Sequence, residues 1–537
     1  MIRLAMALLS GLALSGGQAT PAAAQDSEGS SGRVTILHTN DLHGHHKPFE
    51  VGPGNATAQT GDPGKEDPFE FGRPGMVGGL APLATAVRSI RESRGRDSVL
   101  LVDAGDSFGD DLLGNRTRGA AMIELMNALE YDFAALGDHD LDYGRERTRE
   151  LDAAAAFPMR AANVTEGETG KPFLGDPTKV LEAGGIRVGL LALGYQNTPL
   201  TTSPGNVQGL ELASGIATAR EYVPELRERA DVVVVVSHQG AEVDELLARE
   251  VPGIDLIVGG HSHDAYVRDN GTLWVQALAD GAMLGEVTVE VEKGRITKME
   301  ATNHVLWTAD YHPNANLAER VGDLRDPHKE DLEAVLAKAL EPIGRNYRSE
   351  SPFDRLVGDI LIDETGADAA FLPGLGFGVT LRKGPITREA LHALLPHPFT
   401  LVTLELTGEQ ILSVLERSAT NLDPPDPLDA VGGLVQTAGM RWTVDLSRPA
   451  GGRVSGVEVA GEPLAKDERY TVATHSGMLG GLHGYDAFGQ GSDFEETDRP
   501  VVEIVEEYLR DEEEIEAPEG GAITLKRERE AEAEENG

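Results

Sequence analysis

Between residues 33 and 310, short β-branched apolar runs alternate with stretches of helical periodicity. The runs Val34–His38, Val99–Val102, Arg187–Leu193, Asp231–Ser237 and Leu256–Val258 have the length and composition of buried strands. Residues 82–94 and 119–130 repeat their apolar positions at helical spacing. This alternation predicts an α/β fold of stacked layers over 33–312. Residues 45–75 are rich in Gly, Pro and polar side chains and read as a long surface loop. The charged stretch 316–342 reads as one helix, within a linker at 313–342. A smaller α+β domain is expected over 343–510. Its signals are a strand at Phe399–Leu406, a helix at Thr407–Ser418 and a strand at Met440–Leu446. The Glu-rich end, 511–537, reads as a frayed or disordered acidic tail.

The first 24 residues read as an export signal. Met1-Ile2-Arg3 is followed by a mostly apolar stretch to residue 15, and Ala22-Ala23-Ala24 offers a cleavage site before Gln25. No later segment is long and apolar enough to span a bilayer, and a C-terminal lipid-anchor signal is absent. The expectation is a periplasmic or secreted protein without a membrane anchor. The chain has 0 Cys, which excludes disulfides, thiolate metal sites and Cys nucleophiles. Any metal must be held by His, Asp, Asn or Glu. The net charge of -42 fits a salt-adapted protein and argues against duplex nucleic acid as a partner. A small phosphate ester remains compatible, because bound cations override the global field locally.

Candidate chemistry sits where the strands end. ILHTNDLHG (36–44), LLVDAGDSFGD (100–110), GDHDLDYG (137–144), VVVVVSHQG (232–240) and IDLIVGGHSHD (254–264) each follow or close an apolar run. That edge of an α/β sheet is where ligands bind. Asp41 and His43 lie two apart, as do His261 and His263. Asp106 follows a Gly that permits a sharp turn, and His238 follows five consecutive Val. Oxygen donors mixed with imidazoles suit Mn, Zn, Fe or Co and not a calcium cage. Two such ions, ~3.5–4 Å apart, activate water and clamp an in-line displacement. Taken singly, each motif has an ordinary reading: turn chemistry for Asp41 and His43, a helix cap for Asp106, a satisfied strand-end histidine for His238. Together they describe a two-metal hydrolase.

With these motifs the first domain resembles a calcineurin-like metallophosphoesterase. Residues 33 to about 510 resemble the secreted 5′-nucleotidase family, which also includes UDP-sugar hydrolases, cyclic-nucleotide phosphodiesterases and the sulfur-oxidation thiosulfohydrolases. The resemblance implies a four-layer α/β domain followed by a 5′-nucleotidase-type C-terminal domain. It implies two divalent ions. Asp41, His43, Asp106 and His263 would hold one. Asp106 as a bridge, Asp138, His238 and His261 would hold the other. His139 would be the catalytic donor toward the scissile group, oriented by Asp142.

The chain departs from that family at several positions. Where the family usually has Asn before the catalytic His, this chain has Asp138. Asp binds metal more strongly, offers no amide donor and repels an incoming anion, so a tuned or reduced activity is expected. A gap-free alignment on Gly384–Thr387 puts Gly378 where an Arg usually binds phosphate, leaving Arg382 as a substitute. His397 stands where a base-stacking Phe is usual, and Tyr485 remains as a stacker. The bland readings are a surface turn for His397 and core packing for Tyr485. Residues 373–381, 421–427 and 432–449 look more like the thiosulfohydrolase branch, which acts on a carrier protein's Cys-linked sulfur chain. The leading expectation is an exported dimetal hydrolase of a nucleotide or related small phosphate ester. The alternatives are a thiosulfohydrolase-like sulfur-ester hydrolase, with a carrier protein as partner, and a metal-holding binding protein without turnover.

Overall fold

The structure is a computed structural model, and it describes residues 30–52 and 54–527. The export-signal expectation and the last ten residues lie outside them. Residues 32–305 build two six-stranded sheets packed face to face. In the first, Gly32–Thr39 is central, between the antiparallel Met283–Glu292 and the parallel Val99–Asp103. In the second, Val232–Ser237 lies parallel between Ile186–Leu193 and Leu256–Gly259. All five strand expectations and both helices, observed as Leu80–Arg94 and Ala120–Leu129, are met.

The five-valine strand explains why four layers stack. Val232, Val234 and Val236 enter the seam between the sheets, against Val34, Ile36 and Val102. Val233 and Val235 face the other way and pack under the helices Gly215–Arg229 and Ala241–Glu250. Strand side chains alternate faces, so a run apolar at every position must be covered on both. The helices Leu80–Arg94, Ala120–Leu129 and Ala315–Arg325 cover the outer face of the first sheet in the same way.

The second domain centres on a five-stranded mixed sheet in the order Gly433–Ala438, Ala369–Gly374, Arg469–His475, Thr400–Thr407, Ser492–Pro500. The helices Pro352–Thr365 and Val501–Glu512 cover one face, and Gly408–Leu422 the other. The last of these opens with a capping box between Thr407 and Gln410.

Three sequence expectations change. The single helix over 316–342 is instead a helix at Ala315–Arg325, a 3₁₀ turn at Asp326–His328, a short helix at Lys329–Leu332 and a strand at Val335–Ala339. Pro327 breaks the helical ladder. Leu336, Ala337 and Ala339 then bury in the second domain's core while their strand pairs with Gly384–Thr387. The acidic tail carries regular structure instead of fraying after 510. Glu514–Ile515 pairs with Lys338–Ala339, and Ile523–Lys526 pairs in parallel with Trp442–Asp445. Ile515 and Ile523 anchor these strands in the core despite the surrounding Glu.

The 45–75 segment is not a surface loop throughout. Phe49–Val51 pairs with Gly75–Val77, and Thr57, Gln59, Thr60 and Asp62 are buried. Asp62 reaches the second domain, where its carboxylate accepts the backbone N–H of Tyr347 and Arg348 and the hydroxyl of Ser349.

Glu506, buried on Val501–Glu512, ties that helix to its neighbours. It accepts two hydrogen bonds from Arg388 (2.8 and 2.6 Å), one from His392 (3.0 Å) and one from Arg510 (2.7 Å). Burial opposes its charge, but these donors win and lower its pKa from 4.5 to about 2. A depressed carboxylate stabilises the fold above its unfolded pKa and loses that contribution as pH falls through its folded value. Glu506→Gln is therefore expected to melt below wild type above pH 4.5. The gap should close as pH falls toward 2. Thermal denaturation across that range checks it.

Candidate metal centre

The five motif turns converge at the C-terminal ends of the parallel strands, and the loops interlock through the main chain. Asp41 N–H donates to the Gly105 carbonyl and His43 N–H to that of Asp106, both at 2.9 Å. The approach is too close for side chains at the crossing: a Cβ on Gly137 would lie 2.0 Å from Asp106 Oδ1. Asp140 holds the crossing together, its carboxylate accepting the backbone N–H of Asp106, Ser107 and Gly137. Asp41, His43, Asp106, His261 and His263 all have left-handed backbone, with φ between 44° and 74°. Asp and His tolerate that region better than most residues, yet each such residue costs on the order of 1 kcal/mol. Strain of this kind concentrates where geometry serves a site.

The donors fall into two adjoining groups. Asp41, His43 and His263 form one, and Asp106, Asp138, His238 and His261 the other. Six of these seven side chains are buried, and His261 is partly so. His263 Nε2 lies 3.3 Å from Asp41 Oδ1. His238 Nε2 lies 3.0 Å from Asp106 Oδ2 and 3.2 Å from Asp138 Oδ1, and His261 Nδ1 is also 3.2 Å from Asp138 Oδ1.

The outer nitrogens decide what the inner ones are. His238 Nδ1 donates to the Ala104 carbonyl (2.6 Å), His43 Nδ1 to Asp110 (2.9 Å) and His263 Nδ1 to the Gly376 carbonyl of the second domain (2.8 Å). In the neutral ring each Nε2 is then a lone pair. The Nε2 atoms of His43 and His263 face each other at 3.0 Å. Two lone pairs cannot share a dry space at that distance without a cation or a proton between them. The same field acts on the titrating groups. Burial opposes protonation of His43, but Asp110 and Asp106 raise its pKa to about 9. Burial opposes ionisation of Asp138, while His261 and His238 hold its carboxyl well below the usual range. A site that pulls protons onto buried imidazoles draws divalent cations in the same way, and this donor set fits them.

His139 stands beside the donors. Burial works against its charge, and Asp110, Asp142 and Asp106 lift its pKa well above the usual value. Its Nδ1 donates to Asp142 Oδ2 (2.8 Å), and Thr202 fixes the other oxygen of Asp142 (2.6 Å). The second domain completes a cavity over this edge. His397 lines it and donates to Asp142 Oδ2 at 2.9 Å, so it is not a surface turn. Phe377 and Phe399 line it too. Phe399 stacks on His475 at 4.8 Å and 6°.

Two expected substrate contacts are not brought to this cavity. Arg382 donates to the Glu50 carbonyl, away from it. Tyr485 is buried in the core against Phe488. Sequence reasoning passed over Asp110, Phe377, His475 and His483. His475 carried the available signal, since it ends the strand Arg469–His475 just as the metal-side histidines end theirs. Its pKa falls to about 3 and that of His483 to about 4, both through burial, so the cavity wall there is neutral.

Family models match both parts of the chain: calcineurin-like phosphoesterase over residues 34–265, and 5′-nucleotidase, C-terminal domain, over 335–490. The chain is 28% identical to bovine (Bos taurus) 5′-nucleotidase over 504 residues, covering 84% of each. It is 26% identical to a trifunctional nucleotide phosphoesterase of Bacillus subtilis, covering 89% of this chain and 34% of that protein, so it spans about a third of that relative's length. Among solved structures, a 5′-nucleotidase precursor from Thermus thermophilus is similar at TM-score 0.81 and 28% identity, covering 92% of this chain and 100% of that one. The sulfate thiohydrolase SoxB of Thermus thermophilus is similar at TM-score 0.82 and 25% identity, covering 92% and 97%. Among the described residues, no helix is long and apolar enough to cross a membrane.

Bound cations would stabilise only the folded chain. Divalent metal at about 100 times its dissociation constant is expected to add about 2.7 kcal/mol per site to unfolding. Calorimetry of chelator-stripped protein with and without manganese or zinc checks this. The rise should shrink in His263→Ala.

Proposed function

We infer that this chain, a metal-dependent phosphoesterase of the 5′-nucleotidase type, uses two divalent ions, manganese or zinc, to hydrolyse a nucleotide or related small phosphate ester. We further propose that it acts outside the cytoplasm, a reading supported by the apolar residues 4–15 and the small residues at 22–24. The observation that carries the two-ion reading is the pair of adjoining buried donor groups with opposed imidazole lone pairs.

We assign one ion to Asp41, His43, Asp106 and His263, and the other to Asp106, Asp138, His238 and His261. When bound, such ions supply Lewis-acid activation of water and of the phosphoryl oxygens. The remaining work belongs to the chain. Asp142 holds the Nδ1 proton of His139, and this leaves Nε2 free to face the reacting group. There His139 donates to charge developing on the phosphoryl oxygens, the role of a fixed donor in a water-poor site. Thr202 keeps Asp142 from rotating away. Phe377 and Phe399 give the leaving group an apolar wall, with His397 beside them in place of Arg382 and Tyr485.

A second reading, hydrolysis of a sulfur ester, draws support from the likeness to SoxB and from Gly378 in place of a phosphate-binding Arg. Product identity separates the two. Metal-reconstituted protein in high salt is expected to release inorganic phosphate from 5′-AMP. Loss of the charge-stabilising donor in His139→Ala should lower the rate about 10²–10³-fold. Phosphate absent while metal stays bound, or an undiminished rate in His139→Ala, would sink the phosphoesterase mechanism.

Asp138 is the second lever. Asp138→Asn removes a charge that repels the substrate and adds an amide donor. Turnover on 5′-AMP is expected to rise about tenfold, or about 1.4 kcal/mol, with weaker metal binding. Steady-state rates and metal titrations together check it, and no change in either would refute this role.

A further inference from the structure

A third set of donors lies against the metal centre and shares no ligand with its two groups. Asp110, His139, Asp142 and His397 offer four ligand atoms within 4.8 Å of one another. They alternate around a ring. His139 Nδ1 is 2.8 Å from Asp142 Oδ2, which is 2.9 Å from His397 Nε2. His397 Nε2 is 3.3 Å from Asp110 Oδ1, and Asp110 Oδ2 is 3.5 Å from His139 Nδ1. Two imidazole nitrogens and two carboxylates, one of them offering either oxygen, thus face a common centre. A tetrahedral zinc ion with bonds of about 2.0–2.1 Å has donor-to-donor edges of about 3.3 Å. The ring brackets that value, so a small outward shift of Asp142 would seat the ion.

The surroundings are those of a built site. Thr202 holds the second oxygen of Asp142, and His43 donates to Asp110. Asp110 has left-handed backbone (φ 70°) and is almost wholly buried at 3% exposure. Two carboxylates in such a place need about two positive charges. Two ring protons or one divalent cation satisfy them equally.

We propose that Asp110, His139, Asp142 and His397 form a third, inhibitory cation site selective for zinc. The proposal builds on the two-ion reading above. Zinc there takes the Nδ1 lone pair of His139, which then carries no proton for Asp142, and the ring is fixed in a metal bond. The same ion ties the second-domain segment carrying His397 to two turns of the first domain, so it pins the His139 ring against those carboxylates and clamps the cavity shut. A free, low-occupancy third site permits turnover, and a filled one stops it.

The test is metal counting after dialysis against zinc, with His397→Phe and His397→Asn beside wild type. Wild type is expected to retain about one zinc more than either variant. Equal counts in all three overturn the site. The variants' own total tests the separate two-ion reading, so the two failures are distinguishable. In phosphate release, wild type loaded with two ions is expected to lose about a hundredfold in rate as zinc rises further. Each variant, whatever its starting rate, should stay flat. Parallel loss in wild type and variants would remove the inhibitory role.

Discussion

The whole active edge depends on one electrostatic constraint: buried carboxylates and imidazole lone pairs held closer than they tolerate without added positive charge. The His43 and His263 Nε2 atoms at 3.0 Å are its sharpest case. Nothing local favours this arrangement. It is imposed by two stiff sheets whose strands are buried on both faces and whose ends cannot retreat. The turns absorb the mismatch as left-handed backbone at Asp41, His43, Asp106, His261 and His263. The rigid sandwich holds the strain, and divalent cations bound there would offset the repulsion. Fold and metal centre therefore support each other.

The second domain joins the centre through the first domain's outer contacts. Gly376 orients His263, His397 reaches Asp142, and the Tyr195 hydroxyl donates to the Ala430 carbonyl while its ring stacks on His261 at 3.7 Å. A substrate that moves the second domain thus moves the partners of three site residues at once. The departures from the family pattern at Asp138 and His397 sit at this centre and not in the sheets.

Legibility in the sequence followed the same division. The strand-end motifs were readable because a run such as Val232–Val236 announces both its burial and the turn that follows. Metal-type side chains in that turn have few other uses. Contacts made by main-chain atoms left no trace, and the Gly376 carbonyl on His263 has no residue signature at all. The helix over 316–342 failed where Pro327 was outweighed by charge pattern. The tail failed because Ile515 and Ile523 are few among Glu residues, although two well-placed apolar side chains suffice for an edge strand. Arg382 was not placed by its closeness in sequence to the cavity-lining Phe377, because that closeness does not fix where a long side chain goes. Tyr485 failed because an aromatic near a cavity and an aromatic behind its wall look identical in one dimension.

The paired strands of the tail have a consequence for biosynthesis. Strands near residues 338 and 442 receive their parallel partners from residues 514–515 and 523–526. A parallel neighbour so distant in sequence cannot form until residues 514–526 have left the ribosome. The first sandwich can assemble during translation, whereas the second domain must wait with its sheet edges open. The half that completes the cavity therefore stays unfinished until those strands emerge.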